Sequence, residues 1–234
     1  MIKAARNKIR DMKKMIVAIL IFAFYNSNAQ QKMEPLFNGK DLSNWYSFLK
    51  TKGKNNDPDK VFAVENGVLH ISGKEFGYIS TEKEYANFHL VAEFKWGVKK
   101  YPPRDADTTK RDNGICYYFP AGVPDKVWPK SIEFQVQETD LGDMWLIDHA
   151  TIVAKGVRSK PDSFTRVLKI KNAERPSGEW NRIELIANKG KITYIVNGTV
   201  VNEGSDPSLN KGKILVQSEG AEIYYRKIAI EELH

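Results

Sequence analysis

Gly-containing turns cut this chain into short runs of alternating polarity, and that punctuation leaves room for little except sheet. Val61–Glu65 and Val68–Ser72 flank Asn66-Gly67, a pair that tolerates positive φ and closes a tight hairpin. Asn188-Lys189-Gly190 and Asn197-Gly198 supply two further turns. Strands are expected at Gly77–Ser80, Phe88–Trp96, Gly114–Phe119, Ser131–Gln137, Ala150–Val157 and Thr165–Ile170. The remainder fall at Trp180–Ala187, Ile192–Val196, Lys213–Gln217 and Glu222–Ile230. Past the first thirty residues no stretch of ten carries a helical period, though single helical turns fit Leu42–Trp45 and Thr81–Tyr85. The expected fold class is all-β, a two-sheet antiparallel β-sandwich. Three segments read as long loops: Val98–Asn113, Thr139–His149 and Lys171–Glu179. The first is dense in charge, which suits either a solvated excursion or a lid over a site.

The N-terminus reads differently. Lys13 and Lys14 precede the apolar run Met15–Tyr25, which ends at Ser27-Asn28-Ala29 before Gln30. A basic start, a short apolar centre and a small-x-small end make a cleavable export signal. Eleven apolar residues fall short of the roughly 20 that span a bilayer as a helix. The expected organisation is a signal peptide over 1–29 and one domain over 30–234, periplasmic or secreted, with no membrane attachment after cleavage. Residues 1–29 hold six basic groups and Asp11, so they account for +5 of the +7 formal charge. The remaining +2 is too small to argue for nucleic acid, which needs a clustered basic surface. Cys116 is the single cysteine, so no internal disulfide forms. Its apolar setting reads as a small buried hydrophobe.

Chemistry is densest at Ser131–Gln137, where Glu133, Gln135 and Gln137 alternate with Ile132, Phe134 and Val136. One carboxylate and two amides in a row supply donors and acceptors for a polyhydroxylated ligand. The same alternation also describes an ordinary solvent-facing strand. A second row is Glu93 and Lys95, on a face shared with His89 and Val91; a third is Gln217 and Glu219. Were these strands adjacent, three polar rows would line one face, and carboxylates near a lysine would be tuned as acid and base. Among five tryptophans, Trp128 and Trp145 sit in or beside loops and suit stacking on sugar rings, while Trp96 and Trp180 read as core anchors. His149 beside Asp148 is a further loop candidate. No phosphate loop, dinucleotide fingerprint, zinc-protease motif or nucleophile elbow is present. No cofactor is expected; Asp140, Asp143 and Asp148 are the oxygen ligands to consider for a divalent cation such as calcium.

Several segments, in order, resemble the 3-keto-disaccharide hydrolase family. They include Pro35-Leu36-Phe37-Asn38-Gly39-Lys40-Asp41-Leu42, Tyr78–Tyr85, Glu93-Phe94-Lys95-Trp96, Glu133–Gln137 and Leu215–Gly220. Asp112-Asn113-Gly114-Ile115 stands where the family has Asn-Ser-Gly-Ile. The resemblance covers nearly all of 34–233. It implies a concanavalin/LamG-like jelly roll with a cleft on one sheet, acting on a glycoside substrate oxidised at C3 that an upstream sugar oxidoreductase would supply. It implies Glu93, Lys95, Asn113, Glu133, Gln135, Gln217 and Glu219 as the cleft, with Glu133 as base or acid and Lys95 as electrophilic partner. A non-catalytic carbohydrate-binding module on the same jelly roll is the alternative.

Overall fold

The computed structural model describes residues 33–234; the export segment read over 1–29 lies outside them. Among the described residues there is no helix, and eighteen strands follow one another. The first nine are β1 (Glu34–Pro35), β2 (Trp45–Leu49), β3 (Gly53–Lys54), β4 (Phe62–Glu65), β5 (Val68–Ile71), β6 (Gly77–Thr81), β7 (Phe88–Lys100), β8 (Gly114–Phe119) and β9 (Ser131–Gln135). The others are β10 (Met144–Ile147), β11 (Val153–Ala154), β12 (Val157–Arg158), β13 (Phe164–Val167), β14 (Asn181–Asn188), β15 (Lys191–Val196), β16 (Thr199–Ser205), β17 (Lys213–Ser218) and β18 (Ala221–Glu232).

They form two antiparallel sheets, the expected sandwich. One runs β12-β11-β16-β15-β14-β7-β18-β5-β4, with β1 also on β18; the other runs β13-β10-β9-β8-β17-β6-β2-β3. The turns behave as their chemistry requires. Asn66, Gly67, Lys189, Gly190, Asn197 and Gly198 all take positive φ, the geometry of two-residue hairpins that match strand twist. Alternation then sends Leu90, Ala92, Phe94 and Trp96 of β7 inward against Ile132 and Phe134 of β9 and Ile115 and Tyr117 of β8, all buried.

Three expectations are corrected and one strand is added. Thr81–Tyr85 ends β6 and bridges Gly212 rather than coiling, whereas Leu42–Trp45 does form a single turn, closed by Trp45 N–H to Leu42 C=O, that leads into β2. The supposed loop Thr139–His149 contains β10, which pairs with both β9 and β13. Ala150–Val157 breaks into two short strands about Lys155-Gly156, both at positive φ. Thr199–Ser205 is also a strand, paired with β15 across a bulge.

Asp143 fastens the β9–β10 corner. It is 1% exposed; its carboxylate accepts Arg166 Nε at 2.7 Å and Lys169 N–H at 2.8 Å. Arg166 also reaches Asp140 at 3.1 Å and lies 5.6 Å from the Trp145 ring centre. Asp143→Ala is expected to lower stability by about 2 kcal/mol, less than a fully buried pair because Arg166 keeps Asp140 and partial solvent. Chemical denaturation measures it; a loss below a few tenths would make the network ornamental.

Candidate active site

The outer face of the β13-to-β3 sheet carries the site. On β9, Glu133 and Gln135 point away from the core, and both are nonetheless buried. Burial comes from two crossing segments. The stretch 120–130 lies across the sheet, fixed where Asp125 accepts the hydroxyls of Tyr46 (2.9 Å) and Tyr78 (2.5 Å) and where Lys126 meets Asp148 at 2.8 Å. Farther on, Trp128 donates its indole N–H to Glu219. The charged stretch after β7 supplies the other wall. Lys100 caps its carbonyls at Ala106 and Thr109, and Arg111 binds Gly97 C=O and Glu138, which leaves Arg104 directed at Asp112.

Between them lies a cleft of about 500 Å³ lined by Arg104, Asp112, Glu133, Gln135, Gln137 and Glu219, with Trp128, Trp145 and Phe164 as aromatic walls. Trp128 and Phe164 meet edge to face at 6.2 Å and stand half open to solvent. Gln217 adjoins the floor. A Cβ on Gly114 would lie 2.0 Å from Glu133 Oε1 and 2.2 Å from Gln217 Oε1, so the missing side chain is what admits both groups.

Three carboxyl groups share this floor with one guanidinium. Burial, then the charges of Glu219 and Asp112, push Glu133 well up from its ordinary value. Burial raises Glu219 too, against the Trp128 hydrogen bond and Arg104. Burial and Glu219 raise Asp112, against Arg104 and Gln137. Their donors are unequal. Asp112 accepts Gln135 Nε2 at 3.1 Å and Gln137 Nε2 at 2.6 Å besides Arg104, Glu219 has Trp128, and among the described residues none donates to the Glu133 carboxyl. Burial thus favours a proton held within this set of three carboxyl groups.

The unpartnered polar atoms also gather here. Among the described residues six buried side-chain nitrogens or oxygens lack a partner, and four are Arg104 Nε, Gln135 Oε1 and both amide atoms of Gln217. Each costs about 1–3 kcal/mol unless something fills its valence, so the floor is arranged for a ligand rich in donors and acceptors. A second hollow of similar volume, beside Lys110, Glu138, Glu174 and Arg175, holds none of these atoms.

A family model described as the 3-keto-alpha-glucoside-1,2-lyase-like domain matches residues 32–231. The chain belongs to that family. No curated protein matches it. Among solved structures, a candidate glycosyl hydrolase of Parabacteroides distasonis superposes with a TM-score of 0.59 at 21% identity, over 85% of this chain and 93% of that one. A β-glucanase of Bacillus licheniformis gives 0.54 at 11%, over 87% and 98%. A carbohydrate-binding module of Bacillus subtilis gives 0.50 at 9%, over 81% and 96%. At these identities the likeness concerns the fold, a jelly-roll sandwich.

In this geometry the site residues expected from the sequence and from the family resemblance divide. Glu133, Gln135, Gln217, Glu219, Trp128 and Trp145 come together. Glu93, Lys95, Asn113 and His149 do not. β7 belongs to the opposite sheet, so the three polar rows never share a face. Glu93 is held there by Arg226 at 2.6 Å and Arg182 at 3.4 Å, and Lys95 lies over Trp180 and Tyr224. Trp180 is therefore an outer-face residue, whereas Trp96 is core as expected. Asn113 turns inward, donating to Gln217 C=O and accepting the Tyr225 hydroxyl at 2.6 Å. The neighbouring Asp112 takes the cleft side instead. His149 is exposed at the end of β10, at φ 62°. Asp140, Asp143 and Asp148 are each taken by basic side chains and form no shared ligand set; no cluster of three metal-binding side chains occurs among the described residues. The residues missed were Arg104, Asp112, Gln137 and Phe164. Gln137 stood in the alternating row, and Arg104 in the charged loop that suited either a solvated excursion or a lid.

Proposed function

We propose that this protein is an exported carbohydrate-active enzyme that cleaves glycosides oxidised to a ketone at C3, by elimination and readdition of water. The observation that carries the reading is the clustering of unpartnered donors and acceptors with three buried carboxyl groups between aromatic walls. Ring hydroxyls would satisfy the first, and the CH faces of a sugar would stack on Trp128 and Trp145. Family membership supports the keto sugar as the substrate class.

The chemistry follows from the ketone. It acidifies the C2 hydrogen, which a carboxylate removes to leave an enolate. The enolate electrons form the C1–C2 double bond as the C1–O bond breaks, and the departing oxygen takes a proton from a second carboxyl. Water then adds at C1, giving up a proton to the carboxylate that served the departing oxygen, while the first carboxyl returns its proton to C2, for net hydrolysis. Glu133 exchanges the C2 proton, Glu219 serves the departing oxygen, and Arg104 faces the developing charge at the C3 oxygen in place of Lys95. The aromatic mouth at Trp128 and Phe164 receives the leaving group.

The deciding experiment incubates the mature protein with 3-keto-glucosides and with their unoxidised parents. Turnover confined to the oxidised set, with a transient enone absorbance, is the expected result. Binding of both sets with turnover of neither would replace the enzyme by a carbohydrate-binding module, which the half-exposed Trp128 and Phe164 would also suit. Export is expected to yield a chain beginning at Gln30 in the periplasm or medium, read by intact mass. An oxidoreductase acting at C3 of the glycoside is the supplier of substrate that this reading requires.

A further inference from the structure

We infer that Gln217 is a positioning residue whose amide holds the Glu133 carboxyl in place in both its protonated and ionised forms. The inference rests on the acid–base role of Glu133 proposed above, but its geometry stands apart from any substrate. Gln217 is 1% exposed on β17, and neither atom of its amide has a partner. Glu133 reaches toward it from β9, across β8, over the bare backbone of Gly114. Their two Oε1 atoms both lie over Gly114, 2.0 Å and 2.2 Å from where its Cβ would stand. Two acceptors turned toward the same spot repel unless a hydrogen lies between them. Either Glu133 carries a proton and donates it to the amide oxygen, or the amide turns and offers its NH₂ to the carboxylate. The terminal amide torsion is broad and roughly two-fold, so the exchange costs little.

The groups facing Glu133 sharpen the need for such a partner. Asp112 and Glu219 are acidic, Arg104 is engaged with Asp112, and Cys116, its cross-strand neighbour, is a buried thiol that burial keeps neutral. None of them donates to Glu133. In the reaction, Glu133 as carboxylate takes the hydrogen from C2 as the C1–O bond breaks, and as acid gives it back to C2 when water adds at C1. The amide follows the proton, facing the acid with its oxygen and the carboxylate with its nitrogen. One side chain thus serves both half-reactions without losing its aim.

Infrared titration of the protonated-carboxyl band tests this without substrate. Glu133→Gln identifies the Glu133 band by its disappearance. In Gln217→Met, which keeps length and loses both hydrogen bonds, that band is expected at higher frequency, and its midpoint pH rises by about half to one unit, because the bond to the ionised form is the stronger one lost. On a 3-keto-glucoside, kcat falls about tenfold with KM within about twofold, and the acid limb of the pH profile moves up by the same interval. A band and midpoint identical to wild type overturn the inference, even if activity is lost, since Gln217 would then act on substrate. A shifted band in a protein that turns over no keto sugar upholds the positioning role and defeats the catalytic reading. Should Gln217→Met fold poorly, Gln217→Glu replaces it. There a proton shared between two carboxyls raises the Glu133 midpoint further, and an unmoved midpoint is equally fatal.

Discussion

Glu133→Gln is expected to lower kcat on a 3-keto-glucoside by about 10²- to 10⁴-fold, the usual share of a positioned acid–base group, while KM changes little. The substitution keeps shape and removes the proton exchange alone. It also carries a stability signature of definite sign. Burial raises the Glu133 carboxyl in the fold above its unfolded value. Between those two values the native state binds more protons than the unfolded chain, so stability falls as pH rises through that window. Below the unfolded value, about 4.3 for a glutamate, both states are protonated and nothing is lost. Glu133→Gln therefore melts higher than wild type at pH 8 and level with it near pH 4. Thermal unfolding across that range, beside steady-state kinetics, checks both halves. Unchanged turnover would remove Glu133 from the chemistry, and an unchanged pH dependence of melting would remove the buried charge.

Gly114→Ala is expected to cost about 10²-fold or more in kcat/KM while leaving the fold nearly as stable. Its backbone is not in the left-handed region, and the atoms a new methyl would meet are the far ends of the Glu133 and Gln217 side chains. Those ends can swing away, so stability survives, but a displacement of roughly 1 Å at a reacting group is enough for a loss of that size. Gly77→Ala is the informative contrast. There the methyl would stand 2.1 Å from the Phe48 backbone oxygen, which cannot swing, so β2–β6 pairing and melting temperature suffer. Equal melting temperatures for the two variants would contradict the distinction.

The sheets were readable because hairpin turns and inward apolar positions are local properties. Asn66-Gly67 and Asn197-Gly198 need nothing distant to adopt positive φ. β10 escaped notice since Asp143 and Asp148 bracket only four residues, and the pairing that makes Met144–Ile147 a strand comes from both neighbours at once. Site residues on β9, on β17 and just after it emerged from alternation and from the family resemblance together. Lys95 misled because alternation tells which residues share a face of one strand, not which sheet that strand joins. Asn113 misled by one position: two polar residues, Asp112 and Asn113, stand side by side just before β8, and only the tertiary partners Tyr225 and Gln217 decide that Asn113 faces inward and Asp112 outward. Arg104 lies in a loop whose path depends on Lys100 capping carbonyls, which no periodicity encodes.

Asp112, Asn113 and Gly114 are consecutive, yet the first lines the cleft, the second ties the two sheets together and the third makes space for Glu133. A change at any of the three reaches the chemistry, and at Asn113 it reaches the joint between the sheets as well, so this stretch resists gradual adaptation. Trp128 sits on the segment that crosses the sheet and Phe164 at the start of the edge strand β13, and both side chains stand half open, so each can vary with the framework intact. A lineage, or a laboratory library, that seeks a different leaving group would therefore explore those two positions and hold the tripeptide fixed.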